Sequence, residues 1–307
     1  MTTRFLSLPD GQGCRMAYRV CTPASAEARA RTPLFLINGL SAVMVDWTPL
    51  FEALGASRTV VISDHRGIGE STVGEEWDQD LSLESMGMDV IHLASHLGFS
   101  TIDLLGFSMG GHIVQALLSS DTAQVQDGMV KLEDVAVRKA VLSATMTKLP
   151  RGDVNLNALN KEAEKIADKT QRNDFITFNM MKVQYHDEVL GEGKQMETKF
   201  RQRLETVRGT KRPAHTIALQ FLAIQAADVR ENLHRIPASL PVLVIHGAKD
   251  RMVLYNESDH ILKGIKHAKR LSTPSPEFGH FWYDYFDIDF WSNAITSFLD
   301  SPARAKL

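Results

Sequence analysis

The chain reads as an α/β protein, with a mostly parallel sheet, helices on both faces and a helical insertion. Over the first 145 residues, short apolar runs that end near glycine alternate with stretches of helical periodicity. Strand signals stop after Ala144 and return at Pro241. The stretch between, 148–235, carries 16 basic against 12 acidic residues, and the remainder 18 against 25, so surfaces of opposite sign are joined.

In order, Arg15–Val20 is an early strand. Leu34-Phe-Leu-Ile37, apolar throughout and followed by Gly39, is a strand buried on both faces. Thr48 caps a helix with Pro49 in its first turn, and Gly55 ends it after Phe51 and Leu54. Thr59-Val-Val-Ile62 is the next strand and runs into the turn Asp64-His-Arg-Gly-Ile-Gly69. Ser82 caps a helix on which Met86, Val90, Leu93 and Leu97 recur at helical spacing, with Gly98 closing it. Thr101–Leu105 and Ala140–Ala144 are further strands. Inside the insertion, Met196, Phe200, Leu204 and Val207 stripe one helix, and Ile217, Phe221 and Ile224 another after Pro213. Strands resume at Pro241–Ile245 and near Arg270–Thr273, before a closing helix around Ser292–Leu299. Right-handed crossovers then fix much of the topology.

Composition bounds the function. At 307 residues, with 44% apolar and 23% charged side chains, the chain can bury a sizeable core and is neither disordered, collagen-like nor a coiled coil. A net charge of −3 argues against binding nucleic acid through bulk charge. The longest mostly apolar stretch, Leu34–Val45, is too short for a bilayer and contains Asn38, Gly39 and Ser41. The start lacks a run of signal-peptide length. Two cysteines, Cys14 and Cys21, make no disulfide framework and suit a reducing compartment. The expectation is a soluble, cytoplasmic monomer or homodimer with neither a membrane nor a nucleic acid as partner.

Gly106-Phe-Ser-Met-Gly-Gly111 lies between the strand ending at Leu105 and the apolar helical run from His112 to Leu118. A serine in so tight a strand-to-helix turn is forced into a strained backbone, which lifts its hydroxyl out at a helix N-terminus. Ser108 is therefore the candidate nucleophile. A serine needs a base, and the base an orienting acid. His246-Gly-Ala-Lys-Asp250 places Asp250 on the loop leaving a buried strand, and Glu277-Phe-Gly-His280 places His280 on a loop before the last helix. Asp259 and Asp284 are weaker substitutes for the acid. His92 and His96 lack the intervening glutamate of a zinc-protease motif and read as a solvated pair. His112 and His246 read as packing or capping residues, and His65 as part of the cleft edge. Two amides are needed for an oxyanion; Met109, after the nucleophile, and Leu40, in the loop after Leu34–Ile37, are the candidates.

Together, Asn38-Gly-Leu40, Asp64-His-Arg-Gly-Ile-Gly-Glu-Ser71, Gly106–Gly111, His246–Asp250 and Gly279-His280 resemble the α/β-hydrolase fold family, in its esterase, lactonase and C–C-hydrolase branch. Asn38, where many relatives have histidine, is similar to enol-lactonase-type members. The resemblance implies an eight-stranded sheet, a core formed by 1–147 and 236–307, and a helical cap, 148–235, inserted after strand 6. It also implies hydrolysis of an ester or lactone of a small hydrophobic substrate through Ser108, His280 and Asp250, with no metal or organic cofactor. Ser108 itself argues against the dehalogenase and epoxide-hydrolase branches, which use aspartate there. The same triad also serves C–C (β-diketone) hydrolysis, thioester hydrolysis and non-hydrolytic cyclisation, and the fold hosts ligand receptors with negligible turnover. Phe175, Phe178, Met180, Met181 and Tyr185 either line the substrate site or pack cap helices together. The basic run Lys199–Arg212 reads first as a solvated helix face, with steering of an anionic substrate as the rival.

Overall fold

The computed structural model describes residues 2–150 and 152–302. Met1 and 303–307, at the ends of the expected core, and Arg151 in the expected cap lie outside the described residues. Ten strands make one sheet among those described. Its main order is β1 (Arg4–Ser7), β2 (Arg15–Cys21), β4 (Val60–Ser63), β3 (Leu34–Ile37), β5 (Thr101–Phe107), β8 (Val135–Ser143), β9 (Val242–Ile245) and β10 (Lys269–Arg270). The pairings from β4 through β10 are parallel, and those of β1 with β2 and β2 with β4 antiparallel.

The count exceeds the expected eight because of a hairpin, β6 (Gln124–Gln126) and β7 (Met129–Leu132). Asp127 and Gly128 take φ of 52° and 79° at its tip, the two positive values a tight hairpin turn requires. The nine-residue β8 accommodates both neighbours: its start, Val135–Val137, pairs with β7, and its end, Ala140–Ser143, with β9. Without the hairpin, β8 is the sixth strand in chain order, and the helical segment follows it.

Alternation along the strands feeds two cores. From β3, Phe35 and Ile37 pack with Met86, Val90, Ile113 and Leu117 of helices α3 (Leu83–His96) and α4 (Met109–Leu118). Leu34 and Leu36 pack with Leu50, Leu54, Trp291 and Ile295 of α2 (Thr48–Gly55) and α10 (Ile288–Asp300) on the other face. Each such residue, wholly withdrawn from water, contributes about 1.5–3 kcal/mol. Thr48 does not cap α2 as expected. A 3-10 turn, Met44–Trp47, runs straight into the helix, and the Thr48 hydroxyl donates back to the Val45 carbonyl at 2.8 Å.

Between β8 and β9 stand α5 (Leu156–Glu164), α6 (Lys169–Lys182), α7 (Glu197–Gly209) and α8 (Ala214–Ala226). Lys148 and Asp228 form a β-bridge that joins the two ends of this segment. The solvated face expected of the basic run holds for Arg201 and Arg208, whose side chains are 71% and 52% exposed. It fails for Arg203 and Arg212, which turn inward to carboxylates of the sheet domain. Among the described residues no helix is long and apolar enough to cross a membrane.

Candidate active site

Ser108 joins β5 to α4 with φ 55° and ψ −119°, a conformation that non-glycine residues keep only where the surroundings impose it. Here they do. A Cβ on Gly110 would collide with the carbonyls of Ile37 and Asn38, and one on Gly106 with the backbone of Gly110. Only glycine lets strand and helix approach so closely. The end of β8 holds the turn from behind: Ser108 N–H donates to the Ser143 carbonyl at 2.9 Å, and the Thr145 hydroxyl donates to the Ser108 carbonyl at 2.6 Å. Gln115 adds a brace, its amide donating to the carbonyls of Gly111 and Met146 at 3.0 and 2.8 Å. The Ser108 hydroxyl donates to no acceptor among the described residues.

Asp250 follows β9 and is fully enclosed. Its Oδ1 accepts the amides of Met252 and Val253, both at 2.9 Å, and its Oδ2 faces His280 Nδ1 at 2.7 Å and His246 Nε2 at 3.3 Å. Burial alone would raise its pKa. The His280 charge and the hydrogen bonds from His246 and His280 outweigh burial and hold it down to about 2. An ionised Asp250 accepts, so His280 Nδ1 carries the hydrogen and Nε2 is the nitrogen left to take a proton. The His280 amide donates to the Gln184 carbonyl at 2.9 Å, and its ring lies 4.9 Å from the ring of Phe107, the neighbour of Ser108.

The Asn38–Leu40 loop lies against the nucleophile, since a Cβ on Gly39 would come within 3.0 Å of Ser108 Cβ. Asn38 is committed to structure: its amide donates to the Ser63 carbonyl and its oxygen accepts from the Trp47 indole, each at 2.8 Å. The amides of Leu40 and Met109 donate to no acceptor among the described residues. For Met109 this is the ordinary state of a first helical residue.

The competing residues are otherwise engaged. His65 is buried and donates to the Asn38 carbonyl; burial depresses it to about 4. Burial also depresses His112 to about 4. His92 meets Glu133 at 3.5 Å, and His96 packs against Tyr18. Asp259 pairs with Arg270 at 2.6 Å, and Asp284 with Arg203. His246 does more than pack. Its Nε2 donates to the Val253 carbonyl at 2.8 Å while facing Asp250. Met181 and Tyr185 pack the helical segment onto the sheet domain with Phe200 and Phe281, whereas Phe178 is 44% exposed. A cavity of about 290 Å³ lined by Met44, Asp64, Glu70 and Lys211 opens nearby and includes none of Ser108, Asp250 or His280. Among the described residues no cluster of three or more His, Cys, Asp or Glu is arranged to hold a metal.

Thr145, Gln115 and Gln184 support this site without any distinguishing mark in the sequence. Gln184 contributes only its carbonyl, which any residue possesses.

Residues 32–284 match the family model described as alpha/beta hydrolase fold. A soluble epoxide hydrolase of Corynebacterium sp. (strain C12) is 32% identical over 81 residues, which are 26% of this chain and 27% of that protein. Among solved structures, a hydrolase from Pseudomonas aeruginosa PA01 aligns with a TM-score of 0.72 at 23% identity, covering 97% of this chain and 98% of that one. The enol-lactonase from Burkholderia xenovorans LB400 aligns with a TM-score of 0.71 at 19% identity, covering 97% and 100%. An esterase from Exiguobacterium antarcticum gives 0.74 at 16% identity, covering 98% and 100%. The structural likenesses speak for the fold, and the family match spans most of the chain: this protein belongs to the alpha/beta hydrolase family.

Proposed function

We propose that the protein is a serine hydrolase that cleaves a carboxylic ester or lactone of a small hydrophobic substrate. The observation that carries this reading is His280, hydrogen-bonded at 2.7 Å to an aspartate whose pKa is held down to about 2, with its ring 4.9 Å from that of Phe107, which precedes a serine on a strained strand-to-helix turn. In this mechanism His280 Nε2 takes the Ser108 proton as Oγ attacks the carbonyl carbon, and Asp250 steadies the imidazolium that forms. The amides of Leu40 and Met109 receive the charge on the carbonyl oxygen, each worth about 3 kcal/mol of barrier. His280 then gives its proton to the leaving oxygen. Water, deprotonated by the same nitrogen, releases the acyl group and restores Ser108. Residues 148–235 act as the cap that roofs the site, and an enol-lactonase and an esterase stand among the proteins that share this fold.

The test has two parts. A fluorophosphonate should label Ser108 in the unaltered protein, and Ser108→Ala should abolish both labelling and turnover while the circular dichroism stays unchanged. Adduct at another residue, or full turnover in the alanine variant, would refute the reading. Turnover across esters, lactones, thioesters and β-diketones then identifies the bond, with an ester or lactone expected to be cleaved fastest, and label from H₂18O in the released acid separates hydrolysis from cyclisation.

A further inference from the structure

We propose that Arg203, on α7 of the helical segment, is a positioning residue that holds the base loop and the oxyanion loop in register; the inference rests on the serine-hydrolase reading above. Its guanidinium is buried and grips two pieces of the sheet domain that lie far apart in the sequence. Nε and Nη2 donate to the two oxygens of Asp284 at 2.5 and 2.7 Å, and Nη1 donates to the Asp46 carbonyl at 3.2 Å. Asp284 lies on the loop that carries His280, and Asp46 on the turn that follows Leu40. The guanidinium also stacks 3.9 Å over the ring of Phe281, the residue after the base.

Other contacts converge on the same two loops. Tyr283 O–H donates to the Asp46 carbonyl at 3.1 Å, and Tyr185 O–H to Asp284 at 2.5 Å. Arg212 donates to the Asp46 carboxylate at 2.9 Å and to the Ser41 carbonyl at 2.8 Å, while the Gln220 side-chain oxygen accepts the Ser41 amide at 2.9 Å. The helical segment thus holds the main chain on both sides of the site, and of its side chains named here Arg203 touches both loops through one rigid group, beside the direct Tyr283–Asp46 link.

The chemistry of the group explains why it is arginine. A planar fork fixes the directions of its donors, so the bidentate grip on Asp284 sets where Nη1 can reach. Lysine offers a point charge without that geometry. Had the pair served stability alone, an apolar replacement of similar volume would do as well or better. No apolar side chain can hold the Asp46 carbonyl. Register between base and oxyanion donors matters because a misplacement near 1 Å costs about 100-fold in rate.

The experiment compares the full-length protein with Arg203→Lys and with Tyr185→Phe/Arg203→Met/Asp284→Leu, which removes the charges and their hydroxyl partner together. Measured are kcat and KM on an ester the unaltered protein turns over, fluorophosphonate labelling at Ser108, and the thermal midpoint. In Arg203→Lys, kcat should fall about 100-fold with KM within about threefold. In the apolar triple variant the midpoint should return to that of the unaltered protein while kcat stays about 100-fold low. Full kcat in Arg203→Lys, or kcat recovering with the midpoint in the triple variant, would overturn the proposal. If the lysine variant does not fold, the triple variant decides. No labelling of Ser108 in the unaltered protein would instead defeat the serine-hydrolase reading, so the two failures are distinct.

Discussion

Asp250 and Asp284 are both buried, 3% and 5% exposed, and both meet a nitrogen base within reach of one loop. Asp250 faces an imidazole and two main-chain amides. Asp284 faces a guanidinium fork and a phenol. The partner decides what each carboxylate is able to do. An imidazole exchanges a proton near neutral pH, so the charge of Asp250 changes the energy of a transfer. A guanidinium keeps its proton throughout. Asp284 is therefore limited to holding geometry, however well buried it is. Sequence position ranks Asp250 above Asp284 as the acid, but only the partner explains the ranking.

Two variants should separate the pair. Asp250→Asn keeps an acceptor for the amides of Met252 and Val253 but lets His280 adopt the wrong tautomer; kcat should fall about 10⁴-fold, with a loss on the order of 2 kcal/mol in urea unfolding as the ionised carboxylate is removed. Asp284→Asn leaves the Arg203 charge buried without its counter-charge, which should cost about 3–5 kcal/mol in urea unfolding. Its kcat, measured where it is still folded, should fall only about 100-fold. Losses of the same kind and size in both variants would break the comparison.

The sheet, the elbow and the order of Ser108, Asp250 and His280 were legible because each leaves a local mark: an apolar run, a glycine triplet, a strand followed by a polar loop. The β6–β7 hairpin lay outside the expected eight strands: its outer strand, Gln124-Val-Gln126, is exposed throughout and shows no buried stripe. The inward roles of Arg203 and Arg212 left no mark. On α7, Arg203 sits amid Arg201, Gln202 and Glu205, and periodicity cannot single out a buried cation whose carboxylate lies 81 residues away. Long-range charge pairing is a property of the fold, and so is the brace that Thr145 gives Ser108.

His246 sharpens the comparison at smaller scale, as the donor that lies behind Asp250. His246→Gln retains size but weakens the hold on that carboxylate, and kcat should fall about tenfold, the value of one hydrogen bond to a charged group. An effect as large as that of Asp250→Asn would mean that His246, not His280, is the partner that matters.

Acid stability should divide into two windows. His65 and His112 are neutral in the fold, depressed from 6.5 to about 4 by burial, whereas the unfolded chain binds protons at both below 6.5. Their contribution is complete above pH 6.5 and is lost as pH falls towards 4, on the order of 3 kcal/mol each. Asp250, held down to about 2 from 3.8, contributes stability that is complete above 3.8 and is lost between there and 2. His65→Gln keeps a donor for the Asn38 carbonyl and should flatten part of the upper window, seen as a shallower fall of the thermal midpoint from pH 6.5 to 4. Asp250→Asn should flatten the lower one. If that variant keeps the full fall of the midpoint below pH 3.8, the carboxylate is not held ionised by the fold, and the proton on His280 Nδ1 loses its acceptor.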